Sequence, residues 1–73
     1  MDYIERLKNL RIDTDTDQKT IAEILGCKQS AVSKYERRKI KYKVEDIVKL
    51  CNYYGVSADY ILGLPKEMKY PDR

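Results

Sequence analysis

The feature that most constrains this sequence is the stretch DQKTIAEILGCKQSAVSKYE, which starts at Asp17 and contains two short helical patterns that meet at one glycine. Ile21, Ala22 and Leu25 recur at helical spacing and predict a helix that buries this face. Asp17 stands where a side-chain oxygen can accept a bond from a free N–H group at the start of that helix. Gly26 stands where a helix ends in a left-handed residue. The chain is therefore expected to turn sharply at Gly26 and to begin a second helix at once.

The second helical pattern carries a row of polar side chains. Gln29, Ser33 and Arg37 are spaced i, i+4, i+8 and fall on one helix face, with Ser30 and Lys34 beside them. Two helices joined by so short a turn, the second with amide, hydroxyl and cationic tips, suit insertion into the DNA major groove, where base edges offer donors and acceptors. The row predicts base contacts, and the alternative is an ordinary solvent-facing surface.

These residues also resemble a known family. From about Arg6 to Leu62 the sequence resembles the helix-turn-helix domain of the phage-repressor and Cro-like (XRE) bacterial transcription regulators. The residues that carry the resemblance are Leu7, Arg11, Gln18, Ile21, Ala22, Gly26, Val32, Ser33, Glu36 and the closing YYGVSADYIL. The resemblance implies an all-α, compact five-helix lambda-repressor-like fold in which helices 2 and 3 form the helix-turn-helix. The sequence departs from the family pattern at three places. Arg37-Arg38 stands where the family usually has Asn-Gly, Tyr42 where it often has Pro, and Lys28 where it usually has a short capping residue.

The resemblance assigns roles to further residues. The family counterpart of Gln18 anchors the protein to the DNA backbone, and an amide at a helix N-terminus is well placed to donate to a phosphate. The counterparts of Arg11 and Glu36 pair with each other, which implies a partly buried structural ion pair between helices 1 and 3. Gln29 matches a base-reading position. Family members typically bind pseudo-palindromic operators as homodimers, so the same is expected of this chain.

Positive charge is concentrated in one segment of the 73-residue chain. Residues 28–43 contain seven Lys or Arg and one Glu, a net charge of +6, whereas residues 1–27 carry −2 and residues 44–73 carry −1. Such a segment is an electrostatic footprint for phosphates. The expected DNA-binding residues are Gln18, Lys28, Gln29, Ser30, Ser33, Lys34, Arg37, Arg38, Lys39, Lys41 and Lys43. The last five are assigned to phosphates because they follow helix 3 into a loop, and Lys28 is assigned to a phosphate or a base edge.

Composition excludes several other site types. The chain has no histidine, and Cys27 and Cys51 lack the CxxC spacing of a zinc site, so no metal is expected. The alternating acids that end at Asp17 resemble the opening of a calcium loop, but Gln18 and Ile24 stand where that loop needs glycine and glutamate. We expect no catalytic residues, cofactor or small-molecule ligand. No apolar run approaches membrane-spanning length, which favours a cytoplasmic protein with reduced cysteines.

The rest of the sequence predicts three further helices that pack around this pair. A first helix is predicted from Asp2 to Ile12, a fourth over Val44–Tyr54 and a fifth over Ala58–Leu62. The predicted inward residues of helix 4 are Val44, Ile47, Leu50, Cys51 and Tyr54. Tyrosines at apolar positions, Tyr35, Tyr54 and Tyr60, are expected to pack in the core or an interface. The domain is expected to span residues 1–63, followed by an extended tail, residues 64–73.

The sequence thus predicts a regulator that reads a double-stranded operator with helix 3, more a repressor than an activator, and not an enzyme. A homodimer contact is expected in the C-terminal region, with Tyr53, Tyr60 and Leu64 as candidates. One alternative is a protein-binding adaptor or antitoxin-type module that uses the same fold. Another is non-specific nucleic-acid binding.

Overall fold

The structure, a computed structural model, describes residues 1–65, 69 and 71. Five α-helices follow one another: α1 Tyr3–Asp13, α2 Gln18–Leu25, α3 Gln29–Glu36, α4 Val44–Tyr54 and α5 Ala58–Leu62. No strand occurs among the described residues. The all-α five-helix prediction is confirmed, with α2 and α3 as the helix-turn-helix.

Local chemistry sets the helix ends. Asp2 caps α1 by accepting a bond from the Glu5 N–H at 3.0 Å, so this helix begins one residue later than predicted. Asp17 caps α2 in the same way, with the Thr20 N–H at 2.8 Å from its carboxylate. Gly26 ends α2 with φ of 71°, the left-handed conformation that a side chain disfavours. The backbone can therefore turn between α2 and α3 within three residues.

The core lies where the five helices meet. Its three most completely enclosed side chains are Val32 of α3, Leu50 of α4 and Ile61 of α5. The other buried core residues are Leu7, Ile21, Ala22, Leu25, Tyr35, Tyr42 and Cys51. Because α3 contributes only one face to this core, its opposite face is left for solvent or a ligand.

Helical periodicity misplaced one residue of α4. Val44 was predicted to face inward, but it is 73% exposed. It is the first residue of the helix and lies beyond the edge of the core. Further along the same stripe, Ile47 is half-buried against the core, and Leu50 and Cys51 are buried within it. A helical stripe specifies a direction, and the length of the neighbouring helices decides how far along it burial extends.

The other residues assigned from the sequence are placed as follows. Tyr35 is buried and Tyr54 half-buried, whereas Tyr60 is exposed. Cys51 is buried, Cys27 is half-buried, and both are free thiols.

Of the predicted tail, residues 66–68, 70, 72 and 73 lie outside the described part, and the domain boundary stays a prediction. No helix within the described ranges is long and apolar enough to cross a membrane.

Candidate nucleic-acid interface

The turn before α3 exposes the start of that helix. Lys28 is the N-cap, with extended backbone dihedrals and no side-chain bond to the helix. Its carbonyl accepts bonds from the N–H groups of Ala31 at 2.9 Å and Val32 at 3.4 Å. A cation at this position opposes the helix dipole and satisfies no free N–H group. The first turn of α3 is thus open to an external hydrogen-bond acceptor, and the Lys28 side chain is exposed beside it.

The polar row lies on the exposed side of α3. Gln29, Ser30, Lys34 and Arg37 are exposed, and Ser33 is half-buried. On the opposite side Val32 is 0% exposed and Tyr35 is buried, so the rotation of the helix about its axis is fixed by the core. Arg37 is the C-cap, and its Nε donates to the Ser33 carbonyl at 3.4 Å. The fold therefore presents amide, hydroxyl and cationic groups together on one helix face.

A network around Glu36 ties α3 to the first two helices. Arg11 Nε donates to Glu36 Oε2 at 2.6 Å and Arg11 Nη2 to Glu36 Oε1 at 3.0 Å, a two-point pairing. The side chains are only 16% and 6% exposed. The hydrogen bond to Glu36 raises the pKa of Arg11 above its ordinary value. The structure thus places Arg11 and Glu36 in the ion pair that the resemblance implies.

Gln18 takes part in the same network. Its Nε2 donates to Glu36 Oε1 at 2.9 Å, and the residue is half-buried rather than freely exposed. An amide nitrogen carries two N–H groups, and the bond to Glu36 uses one of them. The position at the start of α2 is consistent with the expected phosphate anchor, but the side chain is oriented from within the protein by a carboxylate of α3.

Residues 37–43, which we call the basic loop, connect α3 to α4. Lys39, Lys41 and Lys43 are exposed, and Lys43 is the N-cap of α4. The Lys39 N–H donates to the Lys34 carbonyl at 2.8 Å, so the loop folds back on the last turn of α3. None of these three lysines forms an ion pair with another described residue, and exposed cations on a surface loop suit contacts with a phosphate backbone.

Arg38 behaves differently from its neighbours. Its Nη1 and Nη2 both donate to the Asp2 carboxylate, the Nη2 bond at 3.0 Å, and Nη2 lies 3.5 Å from Glu5 Oε1. The hydrogen bond from Arg38 lowers the pKa of Asp2 to about 2. Arg38 was expected to contact a phosphate, but here its guanidinium is engaged by the first turn of α1.

Sequence reasoning missed a buried cluster beneath the basic loop. Tyr42 stacks on Tyr35 with ring centroids 4.3 Å apart, and Tyr3 meets Tyr42 edge-on at 6.4 Å. The Tyr35 hydroxyl donates to Asp46 Oδ2 at 3.3 Å, and the Lys43 N–H reaches the same oxygen at 3.4 Å. Burial raises the pKa of both Tyr35 and Tyr42. The only sequence signals were an aromatic residue between lysines and an acid at a capping position of helix 4.

The chemistry of these exposed groups suits a nucleic acid. Within the described ranges no group of three or more His, Cys, Asp or Glu side chains could hold a metal ion. The exposed groups of α3 are hydrogen-bond donors and acceptors of the kind that read base edges, and the cations on the adjacent loop suit phosphates.

Comparison with known proteins places this geometry in a family. The family model described as Helix-turn-helix (HTH_3) matches residues 7–61. The chain is 37% identical over 62 residues to the uncharacterized HTH-type transcriptional regulator YobD of Bacillus subtilis, covering 85% of this chain and 55% of that protein. The chain spans about half the length of the curated relatives it matches.

Two solved structures share the fold. The P22 c2 repressor, crystallised with a synthetic operator, aligns with a TM-score of 0.73 at 24% identity over 85% of this chain and 94% of that one. A transcriptional regulator from Listeria innocua aligns with a TM-score of 0.79 at 25% identity over 94% of this chain and 64% of that one. The chain belongs to the helix-turn-helix family of the phage-repressor and Cro-like (XRE) type.

Proposed function

We propose that this chain binds a specific double-stranded DNA operator through α3 and regulates transcription, with repression as the default outcome. The observation that supports this most directly is the exposed polar face of α3, held at a fixed rotation by Val32 and Tyr35 and continuous in sequence with the exposed lysines of the basic loop. Membership of the helix-turn-helix family adds to it. The proposal involves no catalysis, metal, cofactor or small-molecule ligand, and it places the protein in the cytoplasm with the DNA.

Base recognition falls to the residues of α3 in this proposal. Gln29 is chemically suited to two hydrogen bonds with an adenine, and Lys34 to donation to a guanine. Ser30 and Ser33 can serve either kind of base edge. Because these side chains are exposed or half-buried, they are accessible to a duplex without rearrangement of the core.

Backbone contacts fall to the residues around α3. Gln18 donates its second amide N–H to a phosphate from the start of α2, and Lys28 reaches a phosphate or base edge from the start of α3. The remaining contacts come from Arg37 and the lysines Lys39, Lys41 and Lys43 of the basic loop, all of them exposed. For roughly 6 to 10 phosphate contacts by a dimer, affinity is expected to fall by about 10³ to 10⁵ between 50 and 200 mM salt.

A homodimer on a pseudo-palindromic operator is part of the proposal. One protomer inserts a single eight-residue helix, which reads too few base pairs for selectivity in a genome. Tyr53, Tyr60 and Leu64 are all large, apolar and exposed near the C-terminal end of the described chain. Contact between two copies through these residues would remove this apolar surface from water.

Selection of duplex DNA from a random library, at physiological salt, tests the proposal. Wild-type protein is expected to enrich a two-fold symmetric motif, and Gln29→Ala to loosen the preference at one base in each half-site. Glu23→Ala, an exposed change on α2, serves as the matched control. If no motif is enriched, specific DNA reading by this chain alone is refuted. A protein partner that holds the same basic face, as in an adaptor or antitoxin, then becomes the leading alternative.

A further inference from the structure

The basic loop meets the first turn of α1 at two points. One is the ion pair of Arg38 with Asp2 and Glu5, and the other is the edge-on contact between Tyr3 and Tyr42. These contacts join residues more than thirty positions apart in the chain. The loop is therefore attached at its side to another helix as well as at its ends.

The geometry of Arg38 argues against a role as a phosphate contact. Both terminal nitrogens of its guanidinium donate to Asp2, the N-cap of α1. This pairing occupies the edge of the guanidinium that would otherwise bind a phosphate with two hydrogen bonds. Two acidic groups next to Arg38 also repel a phosphate there. The other loop cations, Lys39 and Lys41, are exposed and free of such a bond in the described structure.

The backbone of Arg38 points to the same conclusion. Its φ is +63°, in the left-handed region that residues other than Gly, Asn and Asp rarely adopt. A bulky residue persists in such a conformation when surrounding contacts hold it there. The bonds to Asp2 and Glu5 are contacts of that kind, and the Arg38 N–H to the Tyr35 carbonyl at 3.1 Å is another.

We propose that Arg38 is a positioning residue, which fixes the basic loop against the first turn of α1 so that Lys39, Lys41 and Lys43 are held ready for the DNA backbone. This inference rests on the proposed function for its consequence, since a loop ordered before binding loses less entropy on contact with phosphates. The attachment itself is a property of the free protein and can be tested without DNA.

The first test is amide hydrogen exchange in the free protein. The reporter is the Lys39 N–H, which donates to the Lys34 carbonyl at 2.8 Å. Arg38→Gln and the double variant Asp2→Asn/Glu5→Gln are both expected to speed its exchange by up to about fivefold, the range of an exposed ion pair. In Asp2→Asn the side-chain oxygen can still accept the capping hydrogen bond at the start of α1. Unchanged exchange at Lys39 in both variants would overturn the proposal.

Two further variants separate the ion pair from other causes. The control Asp13→Asn/Asp59→Asn makes the same charge change at exposed sites on α1 and α5 and should leave Lys39 exchange unaltered. Arg38→Gly relaxes the left-handed backbone while removing the side chain. If Lys39 exchanges faster in Arg38→Gly while the melting temperature is not lowered, the lost bonds from the Arg38 side chain, and not a general loss of stability, explain the faster exchange.

The second test is the salt dependence of binding to the duplex enriched in the selection above. Arg38→Gln is expected to weaken binding by about two- to fivefold at every salt concentration, leaving the slope of log K against log salt unchanged. Lys41→Gln is expected to reduce that slope by about 1.8, because each protomer of the dimer loses one phosphate contact and each contact contributes about 0.9. A slope reduced equally by Arg38→Gln would show that Arg38 contacts a phosphate. Failure of the wild-type protein to bind any duplex would refute the proposed function, and hydrogen exchange would still decide the attachment.

Discussion

Removal of the negative charge at Glu36 tests the junction of the first three helices. Glu36 accepts two bonds from Arg11, at 2.6 and 3.0 Å, and one from Gln18 at 2.9 Å. Glu36→Gln preserves the size of the side chain but leaves the Arg11 guanidinium, only 16% exposed, without its counter-charge. The change therefore isolates the electrostatic part of the network from its packing.

The expected cost is about 3 kcal/mol, the lower end of the range for removing one partner of a buried pair, because Arg11 keeps some contact with water and a bond to the Thr16 carbonyl. Total stability for a chain of this length is roughly 4 to 11 kcal/mol. The variant would thus lose a large fraction of its stability, and its melting temperature should fall by about 12 to 24 °C.

Urea unfolding followed by circular dichroism measures this cost, with Glu23→Gln as an exposed control expected within about 0.5 kcal/mol of wild type. The double variant Arg11→Met/Glu36→Met should recover most of the loss, since replacement of both charges removes the stranded group. A Glu36→Gln variant as stable as the control would refute the reasoning. A double variant less stable than the single one would show that the pair itself, and not the stranded charge, carries the stability.

Three further expectations follow from burial and from pKa shifts. Burial raises the pKa of Tyr54 to about 12, so the folded state holds this proton more tightly than the unfolded one. The free energy of unfolding should therefore fall as pH rises from about 10 to 12. The fall should be smaller in Tyr54→Phe, and urea unfolding of both proteins across this pH interval will measure the difference. The bond from Arg38 lowers the pKa of Asp2 to about 2, so stability present above about pH 4 is lost towards pH 2, and Asp2→Asn should flatten that acid limb of the unfolding curve. Leu50→Ala, at a site 1% exposed, should cost about 2 to 5 kcal/mol, whereas Val44→Ser should cost under about 0.5 kcal/mol. Thermal unfolding of the two variants will compare these costs. A cost for Val44→Ser similar to that of Leu50→Ala would mean that Val44 faces the core, as periodicity predicts, and a much smaller cost agrees with its observed exposure.

The sequence predicted the parts of this protein that depend on short-range physics. Capping by Asp17, the left-handed glycine Gly26 and the apolar spacing of α2 are properties of a few adjacent residues, and the structure has each of them as expected. The exposed polar row of α3 follows from the same periodicity. The Arg11 to Glu36 pair, by contrast, was available only from family resemblance, because nothing in the local sequence relates residues 25 positions apart.

The conformation of the basic loop and the orientation of its side chains, by contrast, depend on the tertiary structure. Tyr42 lies among lysines in the sequence yet stacks in the core, because Tyr35 of α3 and Tyr3 of α1 offer it an apolar surface. Arg38 is one of five cations in the sequence of that loop, but its partners are a first-turn residue and the N-cap of α1, 33 and 36 positions away. Local pattern thus determined which segments are helical and which faces are polar, and the packing of helices distant in sequence determined which of those polar groups remain free to bind.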